Sequence, residues 1–116
     1  MKIVSLEQLP SVAMTMEGAH LVSKQVPVGK EDGAPNFSFR VFTLEPGGHT
    51  PYHQHDAEHL NYILQGEGAL VDEDGHENPV SAGDFGFVAP QEKHQFRNKS
   101  NDALFKFICA VPQAFE

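Results

Sequence analysis

The sequence predicts an all-β fold, a barrel or sandwich of short antiparallel strands. Three observations carry this. Turn-forming clusters recur along the chain at intervals of about 8–12 residues. The runs between them are rich in Phe, Val, Ile and Leu, and no window shows the apolar stripe of an amphipathic helix. The last apolar run, "ALFKFICAV", places Phe105, Phe107, Cys109 and Val111 at alternate positions with Lys106 between them, the period-2 pattern of a half-buried strand.

Taken in order, the first 15 residues are ambiguous and read as a short strand with an irregular segment. Residues 18–28, "GAHLVSKQVPV", alternate weakly and read as a strand. "KEDGAPN" is a turn, followed by the strand "FSFRVFTL" and a second turn, "EPGG" at 45–48. The strands "HLNYILQ" and "GALVDE" are separated by "QGEG". "DGH" at 74–76 reads as a tight hairpin turn in which Gly75 takes a positive φ. "SAGD", "APQEK" and "NKSND" then punctuate the strands "FGFVA", "HQFRN" and "ALFKFICAV". The sum is about eight to ten strands.

At 116 residues the chain suits one domain with one hydrophobic core. Its formal charge of -8, without a Lys/Arg cluster, excludes nucleic acid and anionic membranes as expected partners. A lone cysteine, Cys109, rules out an internal disulfide. The start "MKIVSLEQLP" is too short and polar for a signal-peptide core, and no apolar run approaches the ~20 residues of a membrane helix. A cytoplasmic protein is therefore expected.

Four of the seven histidines fall between positions 49 and 59. His53 and His55 share a face if the segment is extended. His59 keeps their parity if "DAE" neither bulges nor turns, and His94 opens a later strand as a fourth candidate. Neutral imidazoles of this kind suit zinc, nickel, iron or copper. The competing reading is that each is an ordinary surface or hydrogen-bonded core histidine.

From Gly47 through His53, His55 and position 59 to Gly66, and from Gly83 through "DFGFVAPQEK" to His94 and Asn98, the chain resembles a small single-domain cupin of the conserved-barrel cupin 2 family. The likeness spans roughly residues 36–111. It implies a double-stranded β-helix (jelly-roll) barrel, in one domain covering 1–116. Two departures stand out. His59 occupies the place of the family's glutamate, with Glu58 beside it, and Ala89-Pro90-Gln91 replaces the usual Pro-x-Gly turn. The Gly66 spacing and strand parity favour His59 over Glu58, so the resemblance implies a four-histidine site of His53, His55, His59 and His94. That site would hold one divalent transition metal ion: manganese, iron, nickel, copper or zinc.

Around that site, Phe107 and Cys109 are expected at the pocket wall, with Phe96 and Asn61 facing inward by parity with His94 and His59. Arg40, a charge on an otherwise apolar strand, either points to solvent or grips an anionic group of the substrate. Cys109 reads as a packing residue, His49 as a bystander near the barrel mouth or a support behind the ligands, and His76 as solvated. His20 has no partner in sight. Tyr62 is expected on the face opposite the ligands. The resemblance implies a metal-dependent enzyme, a dioxygenase, isomerase or lyase, acting on a small oxygen-chelating molecule. The alternative is a binding module for a sugar or metabolite. No catalytic residue is singled out, and a homodimer formed through sheet edges is expected from the family.

Overall fold

A computed structural model describes residues 1–116. It contains nine strands, three short 3-10 turns and no α-helix. The strands are β1 (Val12–Ala13), β2 (His20–Val28), β3 (Phe37–His49), β4 (His59–Gln65), β5 (Glu67–Val71), β6 (Glu77–Ser81), β7 (Phe85–Val88), β8 (Gln95–Arg97) and β9 (Phe105–Pro112). They form one antiparallel sheet in the order β6-β5-β8-β3-β9-β4-β7, with β2 also paired to β3 and β1 to β2. The sheet curls on itself, so that its inner face is the core. No helix is long and apolar enough to cross a membrane.

Two expectations about the elements need correction. "EPGG" does not end a strand: β3 runs through it to His49, and Gly47 absorbs the local irregularity at φ 80°. The segment Glu77–Ser81 was not expected as a strand, because its only signature is "ENPVS". It is β6, an end strand of the sheet paired only with β5, where Pro79 lacks no needed donor. The expected turns at Gly66, Gly75 and Gly83 all form with positive φ. At Gly66 a Cβ would collide with the Leu104 carbonyl, which ties the β4–β5 turn to the entry of β9.

Register on the inner face sets the site above the core. Cross-strand partners point the same way, so the inner face can be read in layers. The lowest pairs Leu44 with Phe105, and the next joins Phe42, Phe107 and Ile63. These residues are buried, and Phe107 packs on Phe96 (ring centroids 3.9 Å), Phe42 (5.4 Å) and Phe105 (5.6 Å). Above them the row turns polar: Arg40 on β3, Cys109 on β9, Asn61 on β4 and Gly86 on β7 are consecutive partners. The apolar lower layers supply the burial that stabilises the barrel, and the polar row is where the inner face changes from packing to chemistry.

Asn98 fastens the far side. It is buried and donates from Nδ2 to the carbonyls of Leu44 (3.0 Å) and Ala103 (2.8 Å), while Oδ1 accepts from the Ser100 N–H (2.9 Å). One amide thereby satisfies three backbone groups where β3, β8 and the β8–β9 loop meet.

Candidate metal centre

Four histidine rings gather above the polar row. The ligand nitrogens of His53, His55 and His94 all lie within 4.8 Å of one another. Ring centroids are 5.0 Å apart for His53–His55 and 5.2 Å for His53–His94 and His55–His94. His59 joins from β4, its ring stacked on His55 at 4.2 Å and 5.2 Å from His94.

The backbone explains the meeting of distant segments. Beyond β3 the pairing with β8 continues irregularly: Gly48 O accepts from Asn98 N, Thr50 N donates to Phe96 O, and His53 and His94 exchange both backbone bonds (3.1 and 2.9 Å). Buried Thr50 reinforces this, its Oγ1 accepting from Phe96 N at 2.9 Å. His53 and His94 are thus fixed opposite each other by an isolated bridge. The expectation that His53 and His55 share a regular strand is not met, since they occupy the loop between β3 and β4. That loop bends at Asp56 and Ala57, so parity with His59 is not what brings the rings together. The chain turns, and His59 re-enters from a different strand.

The turn before His94 has Gln91 where the resembled pattern has glycine. Gln91 does adopt the left-handed region, at φ 67°, where a residue with a Cβ is strained. Its N–H donates to the His55 carbonyl at 2.7 Å, and its side chain reaches Asp56 and Gln54. The strained residue therefore ties the His55 loop to the His94 turn.

Each ring is prepared in a way that leaves nitrogen lone pairs free. His55 Nδ1 lies 3.1 Å from the Ala57 carbonyl and His94 Nδ1 2.8 Å from that of Glu92. A carbonyl can only accept, so Nδ1 carries a proton on both rings and Nε2 is the nitrogen left to face a ligand. His59 Nε2 is buried with no hydrogen-bond partner. Burial, then the nearby Arg40 and the other three rings, hold the His59 pKa down at about 2. His53 is open to solvent along part of its surface, yet partial desolvation of the ring and the neighbouring His94, His55 and Arg40 lower it to about 4. Burial lowers His94 as well, against the Glu92 carbonyl bond that raises it. The rings so shifted are neutral at physiological pH, the state in which imidazole binds a metal.

The rings line one end of a cavity of about 220 Å³, whose walls include Arg40, Phe42, Phe96, Phe107, Cys109 and Phe115. Arg40 reaches inward: Nη2 donates to Cys109 Sγ (3.0 Å), Nη1 approaches the Phe115 carbonyl (3.5 Å), and buried Nε has no partner. The guanidinium carbon also stands 5.0 Å over the Phe42 ring. No carboxylate pairs with it, so its charge faces the cavity. Lys24, on β2, lines the same space, and burial and then Arg40 lower its pKa. Burial pushes the Cys109 thiol up, so it packs as a thiol rather than a thiolate. Asn61 is inward and buried as expected. It sits beneath the cavity rather than on its wall, with both ends of its amide unpartnered.

The remaining expectations sort cleanly. Glu58 is exposed, Tyr62 faces outward against Phe85, and His76 is exposed in its hairpin. His20 does have a partner: it is the register partner of His49, with ring centroids 5.6 Å apart, and His49 contacts Thr50 and Gln95. Missed from sequence were Lys24, Phe115 and the Met14 and Met16 side of the cavity. They come from the two ends of the chain, where no motif marks them.

The family model for the cupin domain, Cupin_2, matches residues 40–111. The chain belongs to the cupin family. An oxalate-binding protein of Thermotoga maritima is 36% identical to this cupin over 97 residues, which cover 83% of this chain and 74% of that one. Among solved structures, the polyketide cyclase RemF from Streptomyces resistomycificus superposes with a TM-score of 0.90 at 28% identity, covering 97% and 79% of the two chains. A Thermotoga maritima protein described as a predicted oxalate decarboxylase gives 0.84 at 26%, covering 97% and 99%. Cupins similar to this one thus include an enzyme and a protein that binds a small dicarboxylate.

Proposed function

We propose that this cupin, a single domain over residues 1–116, holds one divalent transition metal ion on His53, His55, His59 and His94. On this reading it acts on a small, oxygen-chelating carboxylate as a dioxygenase, isomerase or lyase. The observation that carries the proposal is the pairing, within one cavity, of the histidine rings and an Arg40 guanidinium that no carboxylate pairs. The residues fit a metal because a buried His59 Nε2 without a partner is costly unless something accepts its lone pair. A bound dication would supply Lewis acidity to substrate oxygens, undiminished by a ligand carboxylate.

The chain's own groups define the rest. Arg40 can present two parallel N–H donors to a carboxylate and orient it toward the rings. Phe42, Phe96 and Phe107 give the cavity a dry floor, which strengthens that charge pairing. The volume of about 220 Å³ lies below that of the pockets of about 300–1,000 Å³ that take drug-sized ligands. That size favours a compact acid such as the one named for the Thermotoga maritima relative.

The cavity wall offers one protein carboxylate for proton abstraction, and it is partly engaged. Glu116 is the one acid at the cavity wall, and its Oε1 already accepts from Ser38 Oγ (2.7 Å) and Lys30 N (2.8 Å). This favours oxygenase or lyase chemistry over isomerisation. It also favours a second reading, a binding module without turnover. Elemental analysis of protein purified without a histidine tag, followed by calorimetric titration of the metal-loaded protein with oxalate, tests the site. Substoichiometric metal unaffected by His53→Ala would overturn the metal reading. Oxygen uptake and product formation across a panel of diketones, catechols and dicarboxylates then separate enzyme from binder.

A further inference from the structure

Two cations face the cavity, and Lys24 has no part yet in what it does. Lys24 is the register partner of Phe42 across β2 and β3, so it points to the inner face. Arg40 lies on the same face of β3, its guanidinium 5.0 Å over that Phe42 ring. The two side chains thus flank one phenyl ring and line one cavity with the four histidines. Burial, then the neighbouring Arg40, hold the Lys24 amine below the usual lysine range. Lys2 pairs with Asp32 and Lys99 with Glu77, but neither cavity cation forms an ion pair. They reach main-chain oxygens instead: Arg40 Nη1 that of Phe115 at 3.5 Å, and Lys24 Nζ that of Glu116 at 3.3 Å. Both contacts are long. The Glu116 carboxylate is turned to Ser38 Oγ and Lys30 N, and its pull on Lys24 is weaker than the push of Arg40.

We infer that Lys24 is a specificity-determining residue: with Arg40 it forms a two-cation grip that selects a diacid over a monoacid of the same shape. The inference rests on the metal-site reading above and deepens it. Charge supplies the argument. Two like charges held together and partly out of water cost free energy until an anion lies between them. A metal ion and the Arg40 fork can be met by one carboxylate with a neutral chelating oxygen beside it. Lys24 adds a third positive centre, and a second negative charge is what answers it. The aromatic walls lower the local dielectric, so that difference of one charge is read more strongly than in water. A lysine suits the task because its point charge on a flexible stem can follow a short diacid or a longer one.

Calorimetric titration of the metal-loaded full chain tests this with two pairs of acids, each alike in shape and differing by one charge. Oxalate is set against oxamate, and 2-oxoglutarate against 2-oxopentanoate. Wild type should bind the dianion of at least one pair about 10-fold or more tighter than its monoanion, the scale of a hydrogen bond to a charged group. Lys24→Gln, which keeps a donor for the Glu116 main-chain oxygen, and Lys24→Met should both lose that preference. The loss should fall on the dianion and leave the monoanion and the metal content unmoved, and Lys24→Arg should retain most of the preference. Equal affinities within both pairs in wild type overturn the inference and leave the metal reading standing. A preference that survives in both neutral variants overturns it as well, since Arg40 or the metal then does the selecting. Metal-loaded protein that binds none of the four acids overturns both readings. Where the inference holds, the pair that responds gives the length of the diacid.

Discussion

Replacing His59 with leucine should make the metal-free protein more stable while removing most of its response to metal. The ring is 5% exposed and its Nε2 has no partner. An unsatisfied buried polar group costs about 1–3 kcal/mol, and leucine fills similar space without one. An unfolding entropy of about 2.1 cal/mol/K per residue gives ~0.24 kcal/mol/K for a chain of this length. The expected rise in the metal-free Tm is therefore about 4–12 °C. Metal at a hundredfold excess over its Kd stabilises wild type by about 2.7 kcal/mol, or ~11 °C on the same scale. His59→Leu should lose most of that shift, whichever of manganese, nickel or zinc gives it. Calorimetric melting of chelator-dialysed protein, with and without each metal, reads both numbers. A variant that melts lower without metal would mean the ring is held by packing or water that the orphaned nitrogen conceals. An undiminished metal shift would show that His59 is no ligand. Either result refutes the reasoning.

The same ring should leave a signature in acid. Depressed pKa values mean that below about 6.5 the unfolded chain binds protons the native rings refuse, so metal-free stability falls as pH drops. For His53 the loss runs from about 6.5 to about 4, and for His59 it continues toward about 2. Urea midpoints between pH 7 and 4.5 should therefore fall more steeply in wild type than in His59→Leu, and parallel slopes would count against it. Arg40→Met should leave metal content unchanged but weaken oxalate binding to the loaded protein by about 10- to 100-fold, the scale of a charge-assisted bidentate bond. Equal affinities by calorimetry would remove Arg40 from the site. Asn98→Ala strips three backbone groups of their partner and should cost about 2–4 kcal/mol in urea unfolding. A loss under half a kilocalorie would show that water replaces the amide.

The fold was legible wherever side chains alternate. Phe105, Phe107, Cys109 and Val111 are all buried, and the residues between them face out, because period-2 patterning is what a one-sided sheet imposes. It was illegible where an element is fixed by its partner instead. Strand β6 has no pattern of its own and forms because β5 offers it a ladder, while "EPGG" carries turn residues yet stays in β3 because β2 and β8 hold both flanks. Local propensity is a weak guide at both places, since pairing outweighs it.

The histidines show the same division at the site. Residue type and spacing pointed to His53, His55, His59 and His94, but through a premise the bend at Asp56–Ala57 breaks. What aligns the rings is the backbone exchange between His53 and His94, with Gln91 held at positive φ against the His55 carbonyl. A spacing rule cannot see a bond between residues some forty positions apart, nor a strained turn that substitutes for a glycine. Arg40 makes the complementary case. Its sequence position left open whether it met solvent or substrate, and register decides, because its partner Cys109 is an inward residue of β9 and carries the guanidinium in with it. A charge drawn under a sheet without a counter-ion has lost part of its hydration and found no carboxylate. The histidine rings beside it carry no negative charge in either protonation state and cannot compensate it. On the proposed reading, the group that completes this site brings negative charge to Arg40 and meets a cation held by the rings at the other end of the same cavity.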